Sequence, residues 1–233
     1  MDVTYHDFIV SIAYFTYYRH DDRITALAVS HNGKYVASGQ CGRNSNVHIW
    51  SIETKEVIYT FEEHDNNILG VAFSHDDKIL ATIGGDHKML LWDLSNGCII
   101  AANTKLSEGT SCVLFGGFVK DIKRRNTDDY QLATAGKDGI YLWKLNPYNG
   151  DLEGVKLTGD ARATVTRYIS DISFSDDYEY IYGATSSGDY VIAAVKQQKI
   201  LQAVLQIMMS SLIPYSLVHS GASDKKRIRF YIS

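Results

Sequence analysis

Residues 24–39 read ITALAVSHNGKYVASG and residues 68–83 read ILGVAFSHDDKILATI, two near-copies followed by Trp50 and Trp92. A third copy, QLATAGKDGIYLW at residues 131–143, ends at Trp143. Short runs of alternating apolar residues, Asn-Gly or Asp-Asp turn signals and a repeat of roughly 40 to 45 residues are the mark of a four-stranded propeller blade. The fold class expected is therefore all-β, a β-propeller.

Working outward, each unit should run as an innermost strand a, then b, c and an outer d. In unit one the spacing predicts a at Ile24 to Val29, b at Tyr35 to Ser38, c at Val47 to Trp50 and d at Val57 to Phe61. Asn32 and Gly33 form the a–b turn, where a positive φ is cheap. Unit two repeats this with strands from Ile68, at Ile79 to Ile83, at Met89 to Trp92 and near Ile99, and with a Ser95, Asn96, Gly97 turn. Unit three has strands at Ser111 to Phe115, Leu132 to Ala135 and Ile140 to Trp143. It is longer than unit two, and the extra residues fall in the a–b connection, Gly116 to Asp129. Unit four has strands at Ile169 to Phe174, Tyr180 to Ala184 and Tyr190 to Ala194, with no tryptophan at the matching place.

Four blades leave two sheet faces without a neighbour, and a closed ring of this kind usually needs about seven. The reading is thus a partial or open propeller at residues 20–205, preceded by a β-prone extension at 1–19 and followed by a divergent tail at 206–233. Such an arc is expected to depend on a partner.

Composition narrows the function. A net charge of −4 provides no global field to draw the chain to nucleic acid or an anionic membrane. The apolar start DFIVSIAYFTYY, Asp7 to Tyr18, has no basic region before it and is too short and polar to span a bilayer. Three cysteines, Cys41, Cys98 and Cys112, with no Asn-x-Ser/Thr site argue against a disulfide framework and fit a reducing cytoplasmic setting. Cys41 sits in the loop GQCGR without a neighbouring His or Lys to activate it. No metal or nucleotide motif is present, so no cofactor, metal or small-molecule substrate is expected.

In unit two, His64, Thr82, Asp86 and Trp92 are spaced so that they could converge, and a His-Asp-hydroxyl set invites comparison with a hydrolase triad. Incomplete versions elsewhere weigh against catalysis. Unit one offers His20, Ser38 and Trp50 without the Asp, and unit three offers Thr134, Asp138 and Trp143 without the His. A buried polar network that fixes blade turns is the stronger reading. Lys120, Lys123, Arg124 and Arg125, in the unit-three insertion, read either as a grip on an acidic partner or as a solvated loop, with Asp121, Asp128 and Asp129 nearby. The tail cluster Lys225, Lys226, Arg227 and Arg229 has the same two readings.

From Ile24 to about Val204 the chain resembles the cilia- and flagella-associated WD-repeat family found inside axonemal doublet microtubules. The residues that carry this are KYVASGQ at Lys34 to Gln40, the longer b–c loop before Trp50, LATIGGDHKMLLWDL at Leu80 to Leu94, LATAGKDGIYLWKL at Leu132 to Leu145 and GATSSGDY at Gly183 to Tyr190. The Gly39–Gln40 pair is also similar to echinoderm-type microtubule-associated proteins. The resemblance implies that the loop His bonds the b–c turn Asp, while the strand-b hydroxyl links His to the indole. It further implies a non-enzymatic structural role as a microtubule-associated component of the ciliary or flagellar axoneme, with two tandem propellers in the tubule lumen contacting tubulin and other luminal proteins. The sequence departs from the family pattern over residues 1–19 and from about Gln206. Family members are much longer, which reads as a truncation or a shifted reading frame. The alternatives are a general cytosolic WD-repeat scaffold or substrate-recognition subunit, and, at greater distance, an enzymatic propeller.

Overall fold

The computed structural model describes residues 20–159 and 168–204, and these form seventeen strands. Blade one comprises β1 (Ile24–Val29), β2 (Tyr35–Gln40), β3 (Ser45–Ser51) and β4 (Val57–His64). Blade two comprises β5 (Ile68–Phe73), β6 (Ile79–Gly84), β7 (Met89–Asp93) and β8 (Cys98–Asn103). Blade three comprises β9 (Thr110–Lys120), β10 (Asn126–Gly136), β11 (Gly139–Leu145) and β12 (Leu152–Lys156). β13 (Thr158–Gly159) then crosses to the outer edge of blade four, where it pairs in parallel with β17 (Lys199–Val204), beyond β14 (Ile169–Phe174), β15 (Tyr180–Thr185) and β16 (Tyr190–Ala194). All other pairings are antiparallel between chain neighbours, so each blade is a meander. Among the described residues no helix is long and apolar enough to cross a membrane.

The innermost strands β1, β5, β9 and β14 lie side by side in chain order, and the arc of four sheets does not close. The cores lie between blades. Ala37, Val47 and Ile49 of blade one pack against Val71, Leu80, Leu90 and Trp92 of blade two. Ala81, Ile83 and Leu91 pack against Val113, Leu132 and Trp143, and Ala133, Ile140 and Leu142 against Ile172, Phe174 and Ile181. A strand covered on both faces must be apolar on both, and all six residues of β6, ILATIG, are buried.

Polar contacts repeat from blade to blade. In the a–b turns of blades one, two and four a serine hydroxyl donates to a residue two places on: Ser30 to Asn32, Ser74 to Asp76 and Ser175 to Asp177, at 2.9, 2.8 and 2.6 Å. The residue after that Asx takes φ of +67° at Gly33, where glycine is cost-free, and 58° at Asp77 and 57° at Tyr178. Adjacent turns are also tied together. The Asp77 carboxylate accepts from the backbone N–H groups of His31 and Asn32, at 2.7 and 2.8 Å, and the Tyr130 hydroxyl donates to Asp76 at 2.8 Å.

Unit three corrects one expectation. The insertion at Gly116 to Asp129 is not a loop: β9 and β10 each run eleven residues and carry the hairpin outward to a turn at 121–125. The extension rests on blade two, with Phe118 edge-on to the His75 ring at 4.4 Å. In unit two the strands stand at the expected positions, and in unit one β2, β3 and β4 run past their expected ends, β4 as far as His64. The N-terminal extension at 1–19 and the divergent tail with its basic cluster lie outside the described residues.

Candidate functional site: buried polar networks and a basic hairpin tip

In blade two, β4 ends at His64, β6 supplies Thr82, the following turn supplies Asp86, and β7 supplies Trp92. The four side chains are joined in one chain of bonds. His64 Nδ1 lies 3.1 Å from both Asp86 carboxylate oxygens, His64 Nε2 lies 2.9 Å from Thr82 Oγ1, and Trp92 Nε1 donates to Thr82 Oγ1 at 3.0 Å. The direction of each bond follows. Indole N–H can only donate, so Thr82 accepts it and turns its own hydrogen to Nε2, which leaves Nδ1–H for the carboxylate. Every polar atom is satisfied by a neutral imidazole.

Burial of the His64 ring holds its pKa below the ordinary imidazole value, outweighing the pull of the Asp86 charge. Burial acts to raise the Asp86 pKa, but N–H donation from Asp65, the His64 ring and the Lys88 backbone brings it below the usual carboxylate range. For His64 the folded value is the lower one, so the unfolded chain takes up the proton first. The network's contribution to stability is present above the unfolded value, about 6.5, and is lost as pH falls from there through the lower folded value. The urea midpoint is therefore expected to drop between pH 7.5 and 5.5, and His64→Gln should flatten that slope. An equal slope in both proteins would contradict a neutral His64.

Blade one builds the same device from different parts. His20 Nε2 lies 2.7 Å from Ser38 Oγ, as the serine reading requires, and where blade two has Asp86 the Gln40 amide oxygen lies 2.9 Å from His20 Nδ1 and accepts from Asp21 N–H at 3.3 Å. Asp86 likewise accepts from Asp65 N–H, at 3.0 Å. The register explains the substitution: Gln40 stands at the strand position of Gly84, where a side chain would run into Asp86 and His64. One site or the other supplies the acceptor. Gln40 was missed in the sequence, and its signal was a glutamine at a position that is glycine in units two and three. Trp50 is half-buried on β3, opposite Val36.

Blade three keeps only the inner half. Trp143 Nε1 donates to Thr134 Oγ1 at 2.9 Å, and Leu106, buried, stands four residues before β9, as His64 stands before β5. The grouping of Asp138 with Thr134 and Trp143 is corrected. With no imidazole to receive, Asp138 accepts from Tyr141 at 2.6 Å and from Lys156 at 2.7 Å on the exposed side of the blade. In blade four, Gly183 and Ala193 stand at the Thr82 and Trp92 positions, so hydroxyl and indole are lost together.

No nucleophile is left over in these sets. Cys112 is half-buried, and its removal from water pushes the thiol up to about 12, far from the thiolate form. Cys41 is half-buried, its N–H bonded to Arg23 O at 2.8 Å. Among the described residues no three His, Cys, Asp or Glu side chains converge as a metal set would require.

The basic residues occupy the tip of the β9–β10 hairpin. Arg125 is held by Asp121 through Nε and NH2, at 2.9 and 2.8 Å, and Lys120 Nζ donates to Asp177 O at 3.2 Å, bracing the hairpin on blade four. Lys123 and Arg124 form no ion pair among the described residues, and Ile122 between them and Asp121 is fully exposed. Behind the tip, a cleft between blades three and four has Trp143 and Val195 in its lining and Lys144 and Lys196 beside them.

Comparison with known proteins agrees with this architecture. The family model for the WD domain, G-beta repeat, matches residues 12–51 and 55–93. Cilia- and flagella-associated protein 52 of Chlamydomonas reinhardtii is 29% identical over 183 residues, covering 76% of this chain. The Homo sapiens protein of that name is 27% identical over 177 residues, covering 73%. The chain spans 28% and 27% of the lengths of these relatives. Among solved structures, the β-propeller domain of Myceliophteria thermophila Cps50 (Swd1) superposes with a TM-score of 0.64 at 18% identity, covering 82% of this chain and 57% of that one. U3-55K gives 0.60 at 18% identity, covering 79% and 50%. Blades, tryptophan positions and these matches together make the chain a WD-repeat β-propeller protein, partial in the number of its blades, that resembles cilia- and flagella-associated protein 52.

Proposed function

We propose that the chain is a non-enzymatic scaffold of the ciliary or flagellar axoneme, a microtubule-associated protein of the inner-tubule type that stabilises doublets through protein–protein contacts. One observation carries the reading: the His64, Asp86 and Thr82 set is used up in holding blade turns, while the hairpin of blade three projects an exposed tip at Ile122 to Arg124 whose Lys123 and Arg124 form no ion pair among the described residues. A rigid blade holds such a tip in place without a bound cofactor. Ile122, Lys123 and Arg124, with Lys120 and Arg125 behind them, suit an acidic protein surface such as tubulin. The names of the relatives support the cellular setting. The domain reading of an extension at 1–19, blades at 20–205 and a tail at 206–233 is part of this proposal.

The test is a tagged copy expressed in a flagellated cell, followed by salt extraction of the axoneme. Retention along the doublets at ~0.5 M salt, where exposed ion pairs are largely screened, is the expected result. Lys123→Glu/Arg124→Glu should keep the wild-type melting temperature and be extracted at lower salt. A diffuse signal recovered in soluble complexes would overturn the axonemal reading in favour of a general cytosolic scaffold or substrate-recognition subunit.

A further inference from the structure

The face of blade three turned toward blade four carries two rows of side chains across its strands. Ala133, Leu142 and Val155 form one row, and Gln131, Lys144 and Glu153 form the next. The first row begins in the core layer between the blades and ends at Val155, which is 41% exposed. Leu142, Val155 and the whole second row line a cleft of about 350 Å³, which Tyr178 and Val195 border from the turns of blade four. Ligand sites begin at roughly 300 Å³.

Gln131 is the informative residue. It is 8% exposed, and its amide has no hydrogen-bond partner among the described residues. A buried amide left without a partner costs stability, so such a group in a folded protein calls for a reason. The junction between blades two and three shows that the fold does not require it. There Ile79 stands at the Gln131 position and Leu145 at the Val195 position, both buried in one core layer. At the next junction glutamine and valine take those places, and the cleft is open.

The chemistry of the lining defines the occupant. An amide donates through Nε2–H and accepts at Oε1, so its full complement is a group that does both, as a peptide unit does. A lone carboxylate or ammonium satisfies only half of it. The charges around the cleft are partly committed: Lys144 pairs with Asp129 at 2.9 Å and stands beside Glu153, Asp121 is held by Arg125, and Lys120 is braced on Asp177 O. Arg124 and Lys196 form no ion pair among the described residues, and against them stands the carboxylate of Glu179. The surplus is cationic and suits an acidic group.

We infer that this cleft is a docking site for an extended acidic peptide segment of a partner protein. One peptide unit pairs with the Gln131 amide, an apolar side chain lies between Val155 and Val195, and an Asp or Glu of the segment meets Arg124 or Lys196.

Panning a random dodecapeptide phage library on the purified full-length chain at low salt tests this. The selected peptides, made synthetically, should carry Asp or Glu beside an apolar residue. Their affinity, read by fluorescence anisotropy, should fall at least about tenfold for Gln131→Ile/Val195→Leu, which copies the filled junction and should melt no lower than the wild type. Lys196→Glu leaves the hairpin tip intact and should weaken the same peptides and reduce the salt dependence of their binding. Peptides that bind the filled variant as well as the wild type, selection of basic sequences, or no enrichment over the bare support would each overturn the site. Displacement by ATP, whose adenine edge can pair the same amide, would overturn the peptide as occupant, and a lower melting temperature for the filled variant would show that Gln131 is bonded within the fold. The readout uses the isolated chain, so it stands or falls apart from the axonemal reading.

Discussion

Gly84→Ala is expected to cost about 3 kcal/mol, seen as a lower urea midpoint at unchanged slope. A β-carbon at this position would meet the Asp86 carboxylate and lie 2.5 Å from His64 Nδ1, so the bond between them could not form. His64 Nδ1–H would then be buried without its acceptor, while Nε2 keeps Thr82 and Asp86 keeps the N–H groups of Asp65 and Lys88. His64→Ala removes the same bond without inserting an atom and should cost less, about 1 to 3 kcal/mol. Blade one supplies the control, because there the acceptor rises from this strand position itself. Gly84→Gln/Asp86→Ala would place a Gln40-like amide beneath His64 and should recover part of what Gly84→Gln loses. If Gly84→Ala melts as the wild type does, the network has no such steric requirement.

Trp92→Ala should be the more damaging change, at about 4 kcal/mol. The indole stacks on Phe61 of blade one at 4.0 Å and belongs to the core layer that joins blades one and two. Its N–H is also the donor to Thr82. Trp92→Phe keeps most of the apolar volume and loses the hydrogen bond, so it should cost about 1 to 2 kcal/mol. The difference between the two variants measures packing, and the remainder measures the bond. Because Phe61 lies on blade one, Trp92→Ala should also loosen that blade, read as faster amide exchange along β4. Exchange confined to blade two would show that the blades are held by their turns and not by this layer.

Much of this was legible without coordinates. The repeat of Asn-Gly and Asp-Asp turn signals and tryptophan-ended strands placed blade two strand by strand, because the alternation of a strand and the chemistry of its turn are local properties. His64, Thr82, Asp86 and Trp92 were legible as a set for the same reason. The position of each along a repeating blade determines which atoms can meet.

The misreadings share one physical cause. Gly116, Gly117, Asp128 and Asp129 carry loop chemistry, yet β9 and β10 continue through them, because Phe118 packs on His75 and Tyr130 bonds Asp76 of blade two. Asp138 has the spacing of Asp86 but not its role, because no histidine is present to receive it and Lys156 and Tyr141 are within reach. Gln40 has the role of Asp86 without its spacing, since a long side chain from the strand reaches the point that a short one reaches from the turn. Repeat period and turn residues therefore determined the blades from the sequence itself. Which acceptor serves each histidine, how far the third hairpin extends and which two faces of the arc stand open were decided only by contacts between blades, where residues far apart in the chain compete for the same space.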